Sequence, residues 1–478
     1  MASDLHAGPG EPLSAPSRND AFVRDASGAI GGPVGRHTRF GAAAFWTPLR
    51  VLIALTMLTF TIGFAAKLPC SYHPWAEHYQ YTRMCYSDVY ALYFSERLNE
   101  AAVPYVDHPV EYPVVIGGLM WVAAGVSDDA SDFYAATAVL LLVSAVVAVA
   151  FTAKTAGRRR PWDAALFALA PGMVLHATTN WDLAAVALGA VGMWAWSRKM
   201  PAFAGIWFGL AIATKLYPGL FLVGLLFLCL RAKRMAEWVQ AAAVAGATAV
   251  LVYVPVILTA GRFPVEACEG GHTVTVLQPA WQRFFTLNRC RGADWDSMAY
   301  AFTRLTDRSI STPALNRLTA VLVILVILAV GALTLWAPRR PRVAQVMFLL
   351  VAGFLLVNKV NSPQYTLWLI PLAALARPRW RAFLAWQAAE ALVLFTRFYF
   401  FVNYDDNGKG IPVEWFIRAV LLRNVLLLVL MGLVVREILR PYHDVVRRDG
   451  EDDPAGGVLD GALDRKELAA TAPVPAPA

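Results

Sequence analysis

The stretch GFLLVNKVNSPQYTLWLIPL, residues 353–372, decides the fold. Apolar sequence flanks it on both sides, yet its centre carries a lysine, two asparagines, a proline and a glutamine. Polar groups are costly inside a bilayer, so we expect this centre to lie where two membrane spans end. Pro363 favours the break, because proline removes a backbone donor and clashes with the preceding helical turn. The stretch therefore predicts a tight hairpin between two spans.

The composition of the whole chain is typical of a polytopic membrane protein. Hydrophobic residues make up 58% of the 478 residues and charged residues only 16%, an apolar excess that soluble proteins do not show. Apolar runs of roughly 17–22 residues recur, which is the length that crosses a ~30 Å hydrocarbon core. The net charge of +8 indicates basic cytoplasmic loops, and we do not predict nucleic acid as a partner.

Three parts are predicted along the chain. Residues 1–45 and 441–478 are rich in small, polar and charged residues, and we expect both to be disordered cytoplasmic tails. Residues 46–440 form the transmembrane domain, with about twelve spans. The candidate spans are 48–67, 133–153, 163–179, 182–197, 201–214, 217–231, 236–258, 315–337, 343–357, 366–376, 381–402 and 415–435.

The basic loops set the predicted orientation in the plasma membrane. They are 154–161, 197–200, 231–234, 338–342, 377–381 and 436–441. The positive-inside rule places this side, with both termini, in the cytoplasm. A first outer loop, 68–132, and a long outer loop, 259–314, then face outward. The apolar segment 114–126 would invert every later loop if it crossed, so we interpret it as a helix in the outer interface.

The cysteines agree with this orientation. Cys70 and Cys85 fall in the first outer loop, and Cys268 and Cys290 fall in the long outer loop. Two local pairs on the oxidising side predict the disulfides Cys70–Cys85 and Cys268–Cys290. Four unrelated free thiols are the alternative.

Polar residues gather at the predicted outer ends of several spans. They are Asn180, Asp182, Lys215, Lys359, Ser362, Gln364 and Tyr365. Because all of them face one side, we expect them to line one outward-facing cavity. The two lysines suit a phosphate, although they would also be satisfied by lipid headgroups. The amide, hydroxyl and carboxylate groups would bind sugar hydroxyls or the phosphate, and the alternative for Asp182 is a simple ion pair with Lys215.

The first outer loop carries the candidate catalytic group. Apolar residues recur at helical spacing over 89–102, which predicts an amphipathic helix that begins next to Asp88. Asp88 is then either the helix N-cap or a general base that takes a proton from an attacking hydroxyl, and the two roles are compatible. Glu111 and Tyr112 are candidate acceptor-binding residues, with a solvated loop carboxylate as the alternative for Glu111. Asp107 and His108 have no clustered third ligand, and no metal site is predicted.

The long outer loop adds polar and aromatic residues without a distinctive spacing. His272 and Arg283 are candidate contacts with an anionic donor or a glycan acceptor. The aromatic residues Trp281, Phe284 and Phe285 are candidates for a lid that re-enters the interface.

Four motifs together resemble the polytopic glycosyltransferases of family 87, in the GT-C class. They are SDVYALYFSERLNEAAVPYVDHPVEYP (87–113), NWDLAAVAL (180–188), TKLYPGLFL (214–222) and NKVNSPQYTLWLIPL (358–372). The family includes actinobacterial α-mannosyltransferases that use polyprenyl-phosphate-mannose. The resemblance covers about 48–435 and depends on the four motifs occurring in this order.

The resemblance implies a fold and a mechanism. The fold is all-helical, with interface-bound helices in the first outer loop. An aspartate of that loop, matched by Asp88, is the general base, and the donor is a sugar on a lipid phosphate. The acceptor hydroxyl attacks with inversion, while Lys215 and Lys359 stabilise the leaving phosphate. No cofactor is implied, and the expected partners are the donor, a glycolipid or glycan acceptor, and the bilayer.

The sequence departs from the family's pattern at two places, and these leave the sugar and the acceptor open. An arabinose-transferring function therefore stays an alternative. Val114 follows Pro113 where the family often has a second proline, and the long outer loop lacks the glycine- and glutamine-containing pattern of close relatives. The rival function classes are a transporter or lipid-carrier flippase and a non-catalytic assembly protein. A transporter typically has broken helices at the bilayer midplane, whereas the polar residues here lie at the outer ends of spans.

Overall fold

The structure is a computed structural model, and it describes residues 20–31, 45–73, 75–269, 272–406, 408–448 and 450–462. The side chains of residues 27–31, Glu269 and His272 lie outside its described part. Most of residues 1–45 and the end of the predicted C-terminal tail are outside it as well.

The described chain is almost entirely helical. The helices used below are α1 (Ala21–Gly31), α2 (Pro48–Lys67), α3 (Asp88–Ser95), α4 (Val114–Ala124), α5 (Ala130–Ala156), α6 (Pro171–His176), α7 (Asp182–Ser197), α8 (Pro201–Thr214), α9 (Gly219–Ala232), α10 (Met235–Thr259), α11 (Arg283–Cys290), α12 (Met298–Thr306), α13 (Thr312–Trp336), α14 (Val343–Val357), α15 (Thr366–Ala376), α16 (Trp380–Asp405) and α17 (Val413–Leu439). Shorter turns of helix are Pro69–Tyr72, Ala76–His78, Tyr79–Thr82, Leu98–Glu100, Pro161–Ala164, Ala165–Ala168, Ala280–Gln282, Pro363–Tyr365, Pro441–His443, Val445–Arg448 and Gly457–Leu459.

Five of the described helical segments are long and apolar enough to cross a membrane. They are Pro48–Tyr72, Ala130–Ala156, Met235–Thr259, Thr312–Trp336 and Val413–Leu439. Shorter apolar helices, α4, α7, α8, α9 and α14, accompany them. The prediction of an all-helical polytopic membrane protein is confirmed, with one two-stranded hairpin added.

The opening stretch forms the predicted hairpin. Helices α14 and α15 are buried along nearly their whole length, as expected for helices that are apolar on every face. The chain leaves α14 at Asn358 and turns through Pro363–Tyr365 into α15. The polar centre of the stretch is therefore a loop between two central helices.

The single span predicted at 163–179 was wrong. The segment consists of the short turns Pro161–Ala164 and Ala165–Ala168, followed by α6. Pro171 begins α6, and Ala170 before it is extended with ψ of 130°, because a proline disfavours helical geometry in the preceding residue. The break lets α6 end at His176, four residues before Asn180.

The first outer loop also differs in detail. The helix predicted over 89–102 ends at Ser95, where Arg97 takes a left-handed φ of 55° before the short turn Leu98–Glu100. The segment 114–126 does form a helix, α4, which packs against α5, α8 and α10. Its 11 residues are too few to cross a bilayer. Its place in the outer interface stays a prediction.

The long outer loop is folded. Strands β1 (Arg262–Glu269) and β2 (His272–Pro279) pair antiparallel, with Arg262 opposite Pro279 and Glu269 opposite His272. Helices α11 and α12 follow. Both predicted disulfides form: Cys70–Cys85 in the first outer loop, and Cys268–Cys290 between β1 and α11.

The C-terminal tail predicted from residue 441 is folded as far as residue 462. Asp444 accepts two hydrogen bonds from the Arg342 guanidinium, at 2.7 and 3.1 Å, and both side chains are buried. Asp453 accepts from the backbone amide of Val343 at 2.9 Å. The composition did not predict this folded segment, because the few residues that anchor it lie among glycines and charged residues.

At the other terminus, the described residues 21–31 form α1, and Asp20 accepts from the amide of Trp380 at 3.0 Å.

Candidate active site

A cavity of about 1060 Å³ opens at the end of the bundle that carries the 358–365 hairpin. The predicted site residues that line it are Asp88, Glu111, Tyr112, Asn180, Lys215, Arg283, Lys359, Ser362, Gln364 and Tyr365. The structure thus brings together residues from segments almost 280 positions apart. Asp182 is fully buried behind the lining, and the side chain of His272 lies outside the described part.

Asp88 begins α3 and faces the cavity. The helix is capped by Ser87, whose hydroxyl accepts from the amide of Val89 at 3.2 Å. The interpretation of Asp88 as the N-cap was therefore wrong. The Asp88 amide donates to the carbonyl of Thr179 at 2.9 Å, which fixes the start of α3 against the segment after α6. The carboxylate is left for other partners.

Three neutral donors hold the Asp88 carboxylate. The Tyr86 hydroxyl donates to Oδ1 at 2.9 Å, and the amides of Asn180 and Gln364 donate to Oδ2 at 2.7 and 3.4 Å. Among the described residues, Asp88 makes no ion pair. These donors fix the direction of the carboxylate. The geometry is that of an oriented carboxylate able to accept a proton.

Asn180 connects the carboxylate to the candidate acceptor residue Tyr112. Its side-chain nitrogen reaches the Tyr112 hydroxyl at 2.7 Å as well as Asp88. Its oxygen accepts from the amide of Trp181 at 2.6 Å, so the orientation of the amide is determined. Burial raises the pKa of Tyr112 well above its usual range. The phenol is therefore a neutral hydrogen-bonding group at any ordinary pH.

Lys215 pairs with Asp182, as the alternative for Asp182 expected. The ammonium lies 3.4 Å from the Asp182 carboxylate, which also accepts from the Trp368 indole at 2.7 Å. The same ammonium lies 4.9 Å from the centre of the Tyr112 ring, within the range of a cation–π interaction. Lys215 thus lines the cavity, and the buried carboxylate of Asp182 balances its charge.

Lys359 is turned into the protein. Its ammonium donates to the carbonyl of Asn288 at 2.7 Å and to the carbonyl of Arg291, and only 7% of the residue is exposed. The headgroup alternative for this lysine was therefore wrong. Loss of water and the charge of Arg291 lower the pKa of Lys359 to about 8. Beside it, Ser362 donates to Asp294 at 3.2 Å.

Glu111 is a half-buried cavity carboxylate and not a solvated loop residue. Burial, and then the charges of Glu96 and Asp88, raise its pKa to about 7. Arg283 and Arg291 act in the opposite direction. Arg283 lines the cavity without an ion-pair partner among the described residues, so its guanidinium is available to an anion.

Sequence reasoning missed several polar cavity residues, namely Lys67, His176, Asp294 and Arg397. Lys67 carried the same signal as Lys215, a lysine at the outer end of an apolar span. His176 and Arg397 lie inside helices, where only the bundle's packing shows which face meets the cavity. Within the described residues, no three His, Cys, Asp or Glu side chains form a group that could hold a metal ion.

Comparison with known proteins identifies the family of the chain. The family model of glycosyltransferase family 87 matches residues 111–358, just over half of the 478-residue chain. No curated protein matches the chain significantly. Among solved structures, the chain is similar to ArnT from Cupriavidus metallidurans bound to undecaprenyl phosphate, at 12% identity and a TM-score of 0.41. That match covers 84% of this chain and 78% of ArnT.

The family match and the five described helices long enough to cross a membrane define a class of membrane-embedded transferases. The chain belongs to glycosyltransferase family 87, the GT-C family that the four motifs resemble. The recognition made from the sequence is confirmed, and the protein is a membrane glycosyltransferase.

Proposed function

We propose that this glycosyltransferase transfers a sugar, mannose by the family's example, from a polyprenyl-phosphate donor to a glycolipid or polysaccharide acceptor. Transfer takes place on the extracytoplasmic side and inverts the anomeric configuration. Asp88 is the general base. The observation that carries the proposal is the Asp88 carboxylate itself, oriented by three neutral donors in a large cavity whose remaining lining is rich in cations.

The bond changes need only one base and a stabilised leaving group. The acceptor hydroxyl oxygen bonds to the anomeric carbon while the bond from that carbon to the phosphate oxygen breaks. The bonding electrons pass to the phosphate, which leaves as an anion and needs no proton. Asp88 takes the hydroxyl proton, a role that typically contributes about 10²–10⁴-fold to the rate.

The cations that support the leaving phosphate lie around the 358–365 hairpin. Lys215 and Lys359 line this part of the cavity, and Arg283 lies on the same wall without an ion-pair partner of its own among the described residues. Preformed cations in a site that excludes water stabilise developing charge strongly. Lys359 already gives two of its donors to carbonyl oxygens, so we assign Arg283 a direct share in phosphate binding.

The remaining predicted residues orient the base or bind the sugars. Asn180 and Gln364 orient Asp88. Tyr112 and Glu111 line the cavity with Asp88 and bind the acceptor. Tyr365 stacks on Trp368 with ring centres 4.0 Å apart, and Trp368 stacks in turn on Tyr217 at 4.1 Å. The stack fixes the plane of the Tyr365 ring, which lines the cavity and would pack against a sugar face.

Turnover of purified protein tests the proposal. The full chain in lipid nanodiscs is given polyprenyl-phosphate-mannose with glycolipid acceptors, and both sugar transfer and release of polyprenyl phosphate are measured. We expect Asp88→Asn, which keeps the shape of the side chain, to lower kcat by about 10²–10⁴-fold with a small change in KM. Asp128→Asn is the matched control.

Two results would contradict the proposal. Equal rates for wild type and Asp88→Asn would remove Asp88 as the base. Protein that moves a lipid-linked sugar across vesicles without breaking the sugar–phosphate bond would be a flippase.

A further inference from the structure

Three basic side chains that the proposed mechanism does not use meet at one part of the cavity. Lys67 ends α2, His176 ends α6 and Arg397 lies in α16, and all three line the cavity. Helix α6 packs against both α2 and α16, so the three side chains come from α6 and the two helices that pack against it. We call Lys67, His176 and Arg397 the Lys67 subsite.

Close backbone contact sets the position of Lys67. A Cβ added to Gly63 would lie 2.3 Å from the carbonyl oxygen of Val174, so α2 and α6 touch where Gly63 has no side chain. Lys67 follows Gly63 by one helical turn and His176 follows Val174 by two residues. The ammonium of Lys67 accordingly donates to the hydroxyl of Thr179, just beyond α6.

Two members of the subsite have unused hydrogen-bonding capacity. Both ring nitrogens of His176 lack a partner, although only 1% of the residue is exposed. Lys67 is 5% exposed, and among the described residues it has one hydrogen bond and no carboxylate partner. A buried polar group without a partner is costly, and a ligand with acceptor oxygens would satisfy both. Arg397 is different, because Asp296 already pairs with it.

The subsite lies on the side of the cavity that contains the base. Thr179 joins the subsite to the base, because its hydroxyl accepts from the ammonium of Lys67 and its carbonyl accepts from the amide of Asp88 at 2.9 Å. In an inverting displacement, the base and the leaving group occupy opposite faces of the anomeric carbon. A cation group near the base therefore faces the acceptor.

We propose that the Lys67 subsite binds an anionic group of the acceptor, a phosphate or a carboxylate carried near the reacting hydroxyl. The assignment of sides rests on the proposed function. Lys67 contributes the free charge, His176 contributes a hydrogen bond, and Arg397 adds a charge that Asp296 largely balances. The enzyme would thus prefer anionic acceptors over neutral ones with the same sugar.

Binding of inorganic phosphate tests the subsite without turnover. Radiolabelled phosphate is titrated into the wild-type chain in nanodiscs, with polyprenyl phosphate saturating the donor side. We expect saturable binding that Lys67→Met weakens by roughly 10- to 100-fold, since a charge-assisted hydrogen bond is lost. Lys67→Arg should retain most of the affinity, His176→Phe should lose part of it, and Lys154→Met is the control for removing a lysine elsewhere.

Affinity for polyprenyl phosphate, measured on the same variants, separates the two possible sources of phosphate. An unchanged value in Lys67→Met supports an acceptor subsite and shows that the variant is folded. A parallel loss of polyprenyl phosphate binding would make this the donor site and overturn the proposal. So would the absence of saturable phosphate binding by wild type, or equal binding by Lys67→Met. Failure of the proposed function would instead appear as absent polyprenyl phosphate binding, with the phosphate result unaffected.

Discussion

Asp88 and Glu111 show how environment separates two carboxylates that line one cavity. Asp88 accepts hydrogen bonds from Tyr86, Asn180 and Gln364, and these fix the direction of its carboxylate. The Glu111 side chain has no such donor among the described residues, and burial beside Glu96 and Asp88 raises its pKa to about 7. At neutral pH Glu111 is therefore partly protonated, while the Asp88 carboxylate is held in position by its three donors.

The raised pKa of Glu111 predicts a pH-dependent stability. The folded protein holds this proton more tightly than the unfolded chain, where the pKa is 4.5. The free energy of unfolding therefore falls as pH rises from about 4.5 to 7, by at most about 3 kcal/mol. Glu111→Gln lacks this loss. We expect its Tm to exceed that of wild type above pH 7 and to approach it at pH 5, by thermal unfolding in nanodiscs.

A second cavity carboxylate serves as the control for this prediction. Glu266 also lines the cavity but is exposed. Glu266→Gln should follow the wild-type pH profile. If the Glu111→Gln and wild-type curves run parallel between pH 5 and 8, Glu111 does not titrate in this window.

At the level of elements, helix α11 and the β-hairpin form one wall of the cavity, and several contacts fasten that wall. The disulfide Cys268–Cys290 ties β1 to the end of α11. Thr286 donates to Gln278 of β2 at 2.9 Å. Lys359 donates to carbonyls at the C-terminal end of α11, where the helix dipole also favours a cation. Lys359 therefore joins this wall to the 358–365 hairpin.

We predict that Lys359→Met loosens α11. Without the ammonium, two part-buried carbonyl oxygens lose a charged donor, at a cost of about 1–3 kcal/mol. Hydrogen–deuterium exchange of peptides covering 283–294 should become faster by roughly 10-fold or more. Lys154→Met should leave these peptides unchanged. Unaltered exchange in Lys359→Met would mean that the disulfide alone holds the wall.

The same elements show what the sequence could and could not predict. The hairpin at 358–365 was predictable, because polar residues inside a long apolar run have only one inexpensive place, the end of a span. The β-hairpin was missed although its signal was present. Gly270 and Gly271 separate two short runs, and the second, His272–Pro279, alternates threonine and valine, which is a recognised hairpin pattern.

Other elements were beyond sequence reasoning. The apolar run at 163–179 reads as a span, and only its packing shows that Pro171 divides it. The convergence of polar residues on one cavity was predicted from charge bias alone. Their pairing, such as Asn180 with Tyr112, depends on how helices distant in sequence are arranged, and no local pattern contains that information.

On the scale of the whole molecule, residues 441–462 cover the end of the bundle opposite the cavity. Asp444 pairs with Arg342 at the start of α14, the helix whose other end leads to Lys359. Gly457 takes a φ of +60°, and a Cβ there would lie 1.9 Å from the carbonyl oxygen of Trp196. The Trp196 indole donates to the carbonyl of Gly456 at 3.0 Å. The segment is thus part of the folded domain.

Removing Asp444 tests the contribution of this segment. Asp444→Ala leaves Arg342 buried with only carbonyl partners, and breaking a buried ion pair from one side typically costs about 3–5 kcal/mol. We expect a clear fall in Tm. Glu451→Ala removes a surface partner of Arg159 and should cost about 0–1 kcal/mol. Similar effects of the two variants would show that the tail contributes little to stability.

The two ends of the bundle differ in charge, which predicts its orientation in the membrane. The cavity and the 441–462 segment lie at opposite ends of the bundle, and the arginine-rich loops lie with the latter: Arg342 pairs with Asp444, and Arg339 pairs with Asp452. The positive-inside rule places that end in the cytoplasm, so the cavity should open outward.

A cysteine label that cannot cross the membrane tests this orientation. The natural cysteines should not react, because Cys229 is buried and the other four cysteines form disulfides. In intact cells, a cysteine at Asp128 should react and one at Arg159 should react only after permeabilisation. The reverse pattern would place the cavity, and the proposed reaction, on the cytoplasmic side.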